Sequence, residues 1–361
     1  MRAAAPVPWL FGRATDLWVF GASALVGLVF AGLAPVLAPG GEVPTWAWLV
    51  FVLAIDVAHV WATVFRTYLD REELRRRTAL YTLLPVGCYA LGVALYLDGP
   101  LTFWRVLAYV AVFHFVRQQA GWVAVYRARA AETGAVDRWL DTAVIYLATG
   151  WPLLYWHAHL PRRFSWFVAG DFLDGARLAP LVAPVGWLYA TCLATYCLRA
   201  LLRAASGATP NLGKHLVVAA TALAWFVGIV ANDDDFVFTA TNVTIHGVPY
   251  FALLWAYTKA RAEERPGTLL ARVAGLGVGA FMATLLALAL LEELAWDRFV
   301  WDDRPELFGL FGDAPRLGAT ARAFVVPLFA LPQAVHYALD GLLWRRSDTG
   351  KAQARALGFA G

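Results

Sequence analysis

Stretches of about 20 predominantly apolar residues recur along the whole chain, and each is long enough to cross a bilayer core of roughly 30 Å as a helix. They run near 17–38, 45–65, 79–97, 101–126, 139–160, 178–204, 213–231, 236–257, 268–291 and 322–344. A chain of 361 residues that is 60% hydrophobic and only 16% charged carries more apolar surface than a soluble fold can bury. The expected fold is therefore all-α: a polytopic integral membrane bundle of about ten transmembrane helices, a single domain over residues 1–361. The first run, from Leu17 to about Ala38, exceeds a signal-peptide core and reads as a retained span. Cys88, Cys192 and Cys197 fall inside spans without a CxxC pair, which argues against a disulfide framework or a thiolate metal site.

The loops set the expected orientation. With the N-terminus inside, the cytoplasmic segments hold Arg66, Arg71, Arg75 to Arg77, Arg127, Arg129, Arg138, Arg199, Arg203, Lys214, Lys259, Arg261, Arg265, Arg272, Arg345, Arg346, Lys351 and Arg355. The opposite loops hold most of the acidic clusters, including Asp233 to Asp235 and the run from Glu292 to Asp313. This bias predicts an integral membrane protein with both termini cytoplasmic. It also accounts for the net charge of +4 through topology, without a nucleic-acid partner. The longer outside segments, 161–177 and 292–319, mix aromatic and acidic residues. They are expected to be external segments forming interfacial helices, with Trp and Phe at headgroup depth, and a lid over a substrate entrance as the alternative.

Four of the spans carry polar groups that a bilayer does not tolerate without cause. In FVVPLFALPQAVHYALDGLLWRR, Gln333, His336 and Asp340 share one helical face. Asp56, His59, Thr63 and Arg66 do the same in the second span. His114, Arg117 and Gln118 lie in the fourth, and Asn242, His246 and Tyr250 in the eighth, where Gly247 and Pro249 free backbone carbonyls. All four spans are even-numbered, so they run parallel. Each histidine stands 7 to 13 residues before the first basic residue of its cytoplasmic flank, about 10–20 Å at 1.5 Å per residue. Four imidazoles at overlapping depth can meet in one layer.

His59, His114, His246 and His336 are the expected metal ligands. Asp56 and Asp340 are expected to orient them or handle protons, with Gln118, Asn242 and Gln333 as further hydrogen-bond partners of the ring nitrogens. Tyr250 or Arg117 is expected to position substrate, and Asp56 or Asp340 to pair with Arg117. Neutral imidazoles suit iron, zinc or copper better than magnesium or calcium. His157 and His159 read as interface-belt residues and His215 as a headgroup contact.

The HxxxH and HxxHH boxes of membrane fatty-acid desaturases are absent. One histidine on each of four helices resembles, in ligand type, the membrane carotene-cleaving oxygenases of the Brp/Blh type, whose ligands are dispersed histidines. The expected function is a membrane metalloenzyme with one non-haem site, Fe(II), acting oxidatively on a hydrophobic small molecule within the bilayer. With zinc the same ligands make a lipid hydrolase. The rivals are a haem-binding electron-transfer subunit and a proton-coupled transporter with a His/Asp relay.

Overall fold

The computed structural model describes residues 9–311, 317–344 and 351–359. It is 81% helix, with no strand among the described residues, the arrangement in which a segment satisfies most of its backbone N–H and C=O groups internally. Ten long helices follow in chain order: α1 (Arg13–Leu37), α2 (Thr45–Arg66), α3 (Thr78–Asp98), α4 (Pro100–Arg129), α5 (Ala135–Ala158), α6 (Ala176–Ala205), α7 (Leu212–Ala231), α8 (Asp235–Glu264), α9 (Val278–Trp301) and α10 (Ala319–Leu343). Among the described residues, eight of these are long and apolar enough to cross a membrane. The expected ten spans require α4 and α5 as well. Both have the length, but α4 carries Arg105, His114, Arg117, Gln118 and Gln119, and α5 carries Asp137, Arg138 and Asp141. Several of these polar groups are buried in the bundle, His114, Gln119 and Asp141 among them.

Burial orders the helices from centre to edge. In α8, 83% of the apolar stretch is buried, against 11% in α3 and 17% in α6. The outer helices show Leu83, Val86, Leu91, Trp187 and Leu188 outward, the inside-out pattern of a chain whose surroundings are apolar. The centre is where the polar residues sit. Gly, Thr, Asn and His in α8 let neighbouring backbones approach closely and supply hydrogen bonds between helices.

The central helices are not regular. Within the described residues, π turns interrupt α1, α2, α7, α8 and α9. Those of α2 (Trp48–Val57) and α8 (Thr239–Val243) end two and three residues before His59 and His246. A π turn inserts one residue into the helical ladder and re-aims the side chains beyond it, and it is often found at functional sites. Gly228, in the π turn of α7, makes room for the one in α8. A Cβ there would stand 2.2 Å from Thr241 Oγ1 and 2.4 Å from Asn242 Nδ2.

Three sequence expectations change. The stretch 322–344 is not one continuous helix: it breaks at Ala330 into Ala319–Phe329 and Leu331–Leu343. Pro332 has no N–H to continue the ladder and serves as the first turn of the second half. The segment 292–319 does not begin as a loop, because α9 runs on to Trp301. Glu292 there is buried and accepts a hydrogen bond from the Trp61 indole (2.6 Å). The segment 161–177 is irregular rather than an interfacial helix. It tucks Phe164 and Phe172 against the fully buried Trp156, and Arg162 ties it to Asp233 (2.8 Å) and the Ile229 carbonyl (3.0 Å).

At the far end of α2, Arg66 is buried and donates to Gln353 of the short helix Lys351–Ala356 (2.7 Å). Gln353 in turn donates to the Leu343 carbonyl (2.8 Å), closing the C-terminal helix onto α10. The basic pair Arg345 and Arg346 lies outside the described residues.

Candidate metal centre

Each of four helices contributes one imidazole to the middle of the bundle: His59 from α2, His114 from α4, His246 from α8 and His336 from α10. Their exposures are 1, 4, 0 and 1%. The Nε2 atoms face one another, at 3.1 Å for His59 and His246, 3.2 Å for His246 and His114, and 3.1 Å for His114 and His336. One candidate ligand atom from each residue can be chosen so that all four lie within 4.8 Å. Nitrogen lone pairs so placed repel unless a cation or protons stand between them.

The rings close a cycle. Neighbouring centroids are 4.7 Å (His59 and His246), 4.9 Å (His246 and His114), 4.6 Å (His114 and His336) and 5.0 Å (His336 and His59) apart. Nε2 separations of 3.1–3.2 Å leave room for one ion at the ~2.0–2.1 Å of a zinc–imidazole bond.

One outward nitrogen meets the second requirement of such a site by a hydrogen bond, and carboxylates face two others. A ligating imidazole gives its other N–H to an oxygen, which fixes its tautomer and orientation. His336 Nδ1 lies 2.6 Å from Thr63 Oγ1. His114 Nδ1 lies 3.8 Å from Asp340 Oδ2, and His59 Nδ1 lies 3.7 Å from Asp56 Oδ1. His246 Nδ1 has no hydrogen-bond partner; its ring is held instead by stacking on Phe115 (3.5 Å, 9°), whose other neighbour is Trp166. Tyr250 joins two of these supports. Its hydroxyl donates to Asp340 Oδ1 (2.6 Å) and lies 3.0 Å from Thr63 Oγ1, while Trp344 Nε1 donates to the same Asp340 oxygen (3.1 Å).

Comparison with protein-family models, with curated proteins and with solved structures gives no match. The likeness to carotene-cleaving oxygenases therefore rests on ligand type, and the site is read from its own atoms.

Of the remaining sequence candidates, Asp56, Asp340 and Tyr250 surround the imidazoles. Gln118 acts through the backbone, donating to the carbonyl of His246 (2.7 Å). Asn242 donates to Phe238 O (3.2 Å) and Thr241 Oγ1 (3.1 Å) of its own helix, not to a ligand. Gln333, just past the break in α10, makes no hydrogen bond to the four rings. Arg117 does not pair with Asp56 or Asp340; it donates to the Tyr146 hydroxyl on α5. Three residues along a helix is a rotation of about 60° from His114, enough to turn a long side chain to the neighbouring helix. His157 meets Tyr109 (2.9 Å), His159 stacks on Tyr155 (3.9 Å) and His215 meets Tyr196 (2.6 Å), so all three stand apart from the centre.

Thr63 and Phe115 are the contributors that the sequence reading assigned no role. Thr63 was legible, since it lies four residues after His59 on the same face. Phe115 carries no periodic signal.

One glycine sets the spacing of the site. A Cβ on Gly247 would stand 2.6 Å from Ile55 Cγ2 and 3.2 Å from the Ile55 carbonyl, where α8 crosses α2 beside both His246 and His59. Gly247→Ala is expected to force the two helices apart, lowering stability by about 1–3 kcal/mol and weakening metal retention. Gly121→Ala, with nothing within 4 Å, is the control that leaves both unchanged. Thermal unfolding and metal content of the detergent-solubilised variants check this.

Proposed function

We propose that this chain is an integral-membrane metalloenzyme in which His59, His114, His246 and His336 hold one Fe(II), and that it acts oxidatively on a lipid-soluble substrate. The observation that carries the reading is the opposed orientation of the two ring nitrogens: four Nε2 atoms turned to one point, with Thr63, Asp340 and Asp56 facing Nδ1 of three of the rings. A bound divalent ion would supply a redox-active Lewis acid at that point.

The chain's own residues do the rest. Thr63 orients His336 by a hydrogen bond, Asp340 and Asp56 face His114 and His59 with their charge, and Phe115 fixes His246 by stacking. Tyr250 holds its hydroxyl proton on Asp340 Oδ1, next to the centre but off it. Phe115, Trp156 and Trp166 cover one side with aromatic surface and exclude water, which protects reactive species from hydrolysis. Eight apolar helices around the site favour a substrate that partitions into the bilayer.

The haem and relay readings fit less well. A haem iron takes four nitrogens of its macrocycle in one plane and two axial histidines, and four imidazoles within 4.8 Å leave that plane no room. A proton relay calls for groups spaced along a path, whereas these converge. Zinc would keep the same ligands and give a hydrolase, and the identity of the bound metal separates that reading from this one. The test is X-ray absorption and visible spectroscopy on the detergent-purified protein. The expected result is an iron edge, a first shell of nitrogen with imidazole outer scattering, and no Soret band. A Soret band, a zinc edge or the absence of metal would replace this reading with haem, hydrolase or relay respectively.

A further inference from the structure

Asp56 is out of character for its position. It stands 3.7 Å from His59 Nδ1, an atom that is buried and without a hydrogen-bond partner, yet the Asp56 side chain keeps 35% of its surface exposed. It pairs with no Lys or Arg among the described residues. A carboxylate cannot show that much surface to hydrocarbon, so the space in front of it is polar. α9 packs against α2 there and brings Glu292, bonded to Trp61 of α2, and its neighbour Glu293 within electrostatic reach of Asp56. Glu292 is fixed by two indoles, Trp61 (2.6 Å) and Trp296 (3.4 Å). Glu293 is part-exposed. Arg304, which acts on Glu293 electrostatically, turns to Glu306 (4.0 Å) and lies over the Trp48 ring. Three carboxylates thus stand together on the outward, Nδ1 side of a buried ligand imidazole.

Four neutral imidazoles carry no charge with which to draw a hydrated cation into a low-dielectric interior. Oxygen ligands of negative charge do so, and they allow stepwise replacement of water before soft nitrogen ligands take over. We propose that Glu293, Glu292 and Asp56 form the path by which a divalent cation reaches the four-histidine centre, binding it transiently before transfer to Nε2. This rests on the metal-centre reading above. It adds the way that centre is filled.

The test is the rate of Co(II) uptake by chelator-stripped, detergent-solubilised protein, followed by its visible absorption in a stopped-flow instrument. Glu293 touches none of the four ligands, so its variants separate path from site. Glu293→Gln is expected to slow uptake about 10-fold and to flatten the fall of rate with ionic strength, while reaching the wild-type plateau. Glu293→Asp, which keeps the charge, is expected to load near the wild-type rate, and so is Glu306→Gln at an exposed carboxylate. Wild-type rates in both Glu293→Gln and the double variant Glu292→Gln/Glu293→Gln would overturn the path and leave the centre standing. No Co(II) uptake by the wild type would remove the centre and the path together.

Discussion

Replacing His336 by alanine is expected to strip the protein of its metal, from about one ion per chain to less than about a tenth, with the helical content unchanged. His336 is buried, its Nε2 lies 3.1 Å from that of His114, and its Nδ1 lies on Thr63. Alanine removes one of four donors and leaves a hole at one corner of the cycle. His159→Ala and His215→Ala remove imidazoles that are tied to Tyr155 and Tyr196 instead, and both are expected to keep the full metal content. The comparison isolates position in the fold from loss of a histidine as such.

The second large effect concerns the groups behind the ligands. Thr63→Val keeps shape and removes Oγ1, the one atom that touches both His336 Nδ1 and the Tyr250 hydroxyl. Metal affinity is expected to fall roughly 10–100-fold, and Thr63→Ser to restore it. Asp340→Asn keeps an oxygen for Tyr250 and Trp344 but loses the charge facing His114, and a fall in the same range is expected. Asp56→Asn acts likewise through His59. Competition with a chelator of known affinity measures all three. If these carboxylates formed a proton relay instead, Asp→Asn would stop a transmembrane proton flux outright and no metal content would change, because none would be bound.

Much of this was legible in the sequence alone. Apolar runs of bilayer length fix helices, since a hydrocarbon surround leaves the backbone no other partner. The four histidines stood out because imidazoles are costly in such runs and because their distances from the basic flanks expected on the inside overlapped. Depth along parallel helices is a one-dimensional quantity that a sequence records. What it does not record is rotation and curvature. The π turns before His59 and His246 and the break at Ala330 change which way side chains point by amounts that no 3.6-residue periodicity carries. Arg117 shared a helix with His114 and still turned to Tyr146. Glu292 and Glu293 looked like the start of an external loop because two adjacent carboxylates end an apolar run. Only the tertiary fold brings Trp61 across to receive Glu292.

The metal centre is tested most directly by elemental analysis of the full chain, purified in detergent, with wild type and His336→Ala prepared side by side. About one transition-metal ion per chain in the wild type, and almost none in the variant, is the expected result. Equal metal in the two proteins, or none in either, would contradict a centre built from His59, His114, His246 and His336.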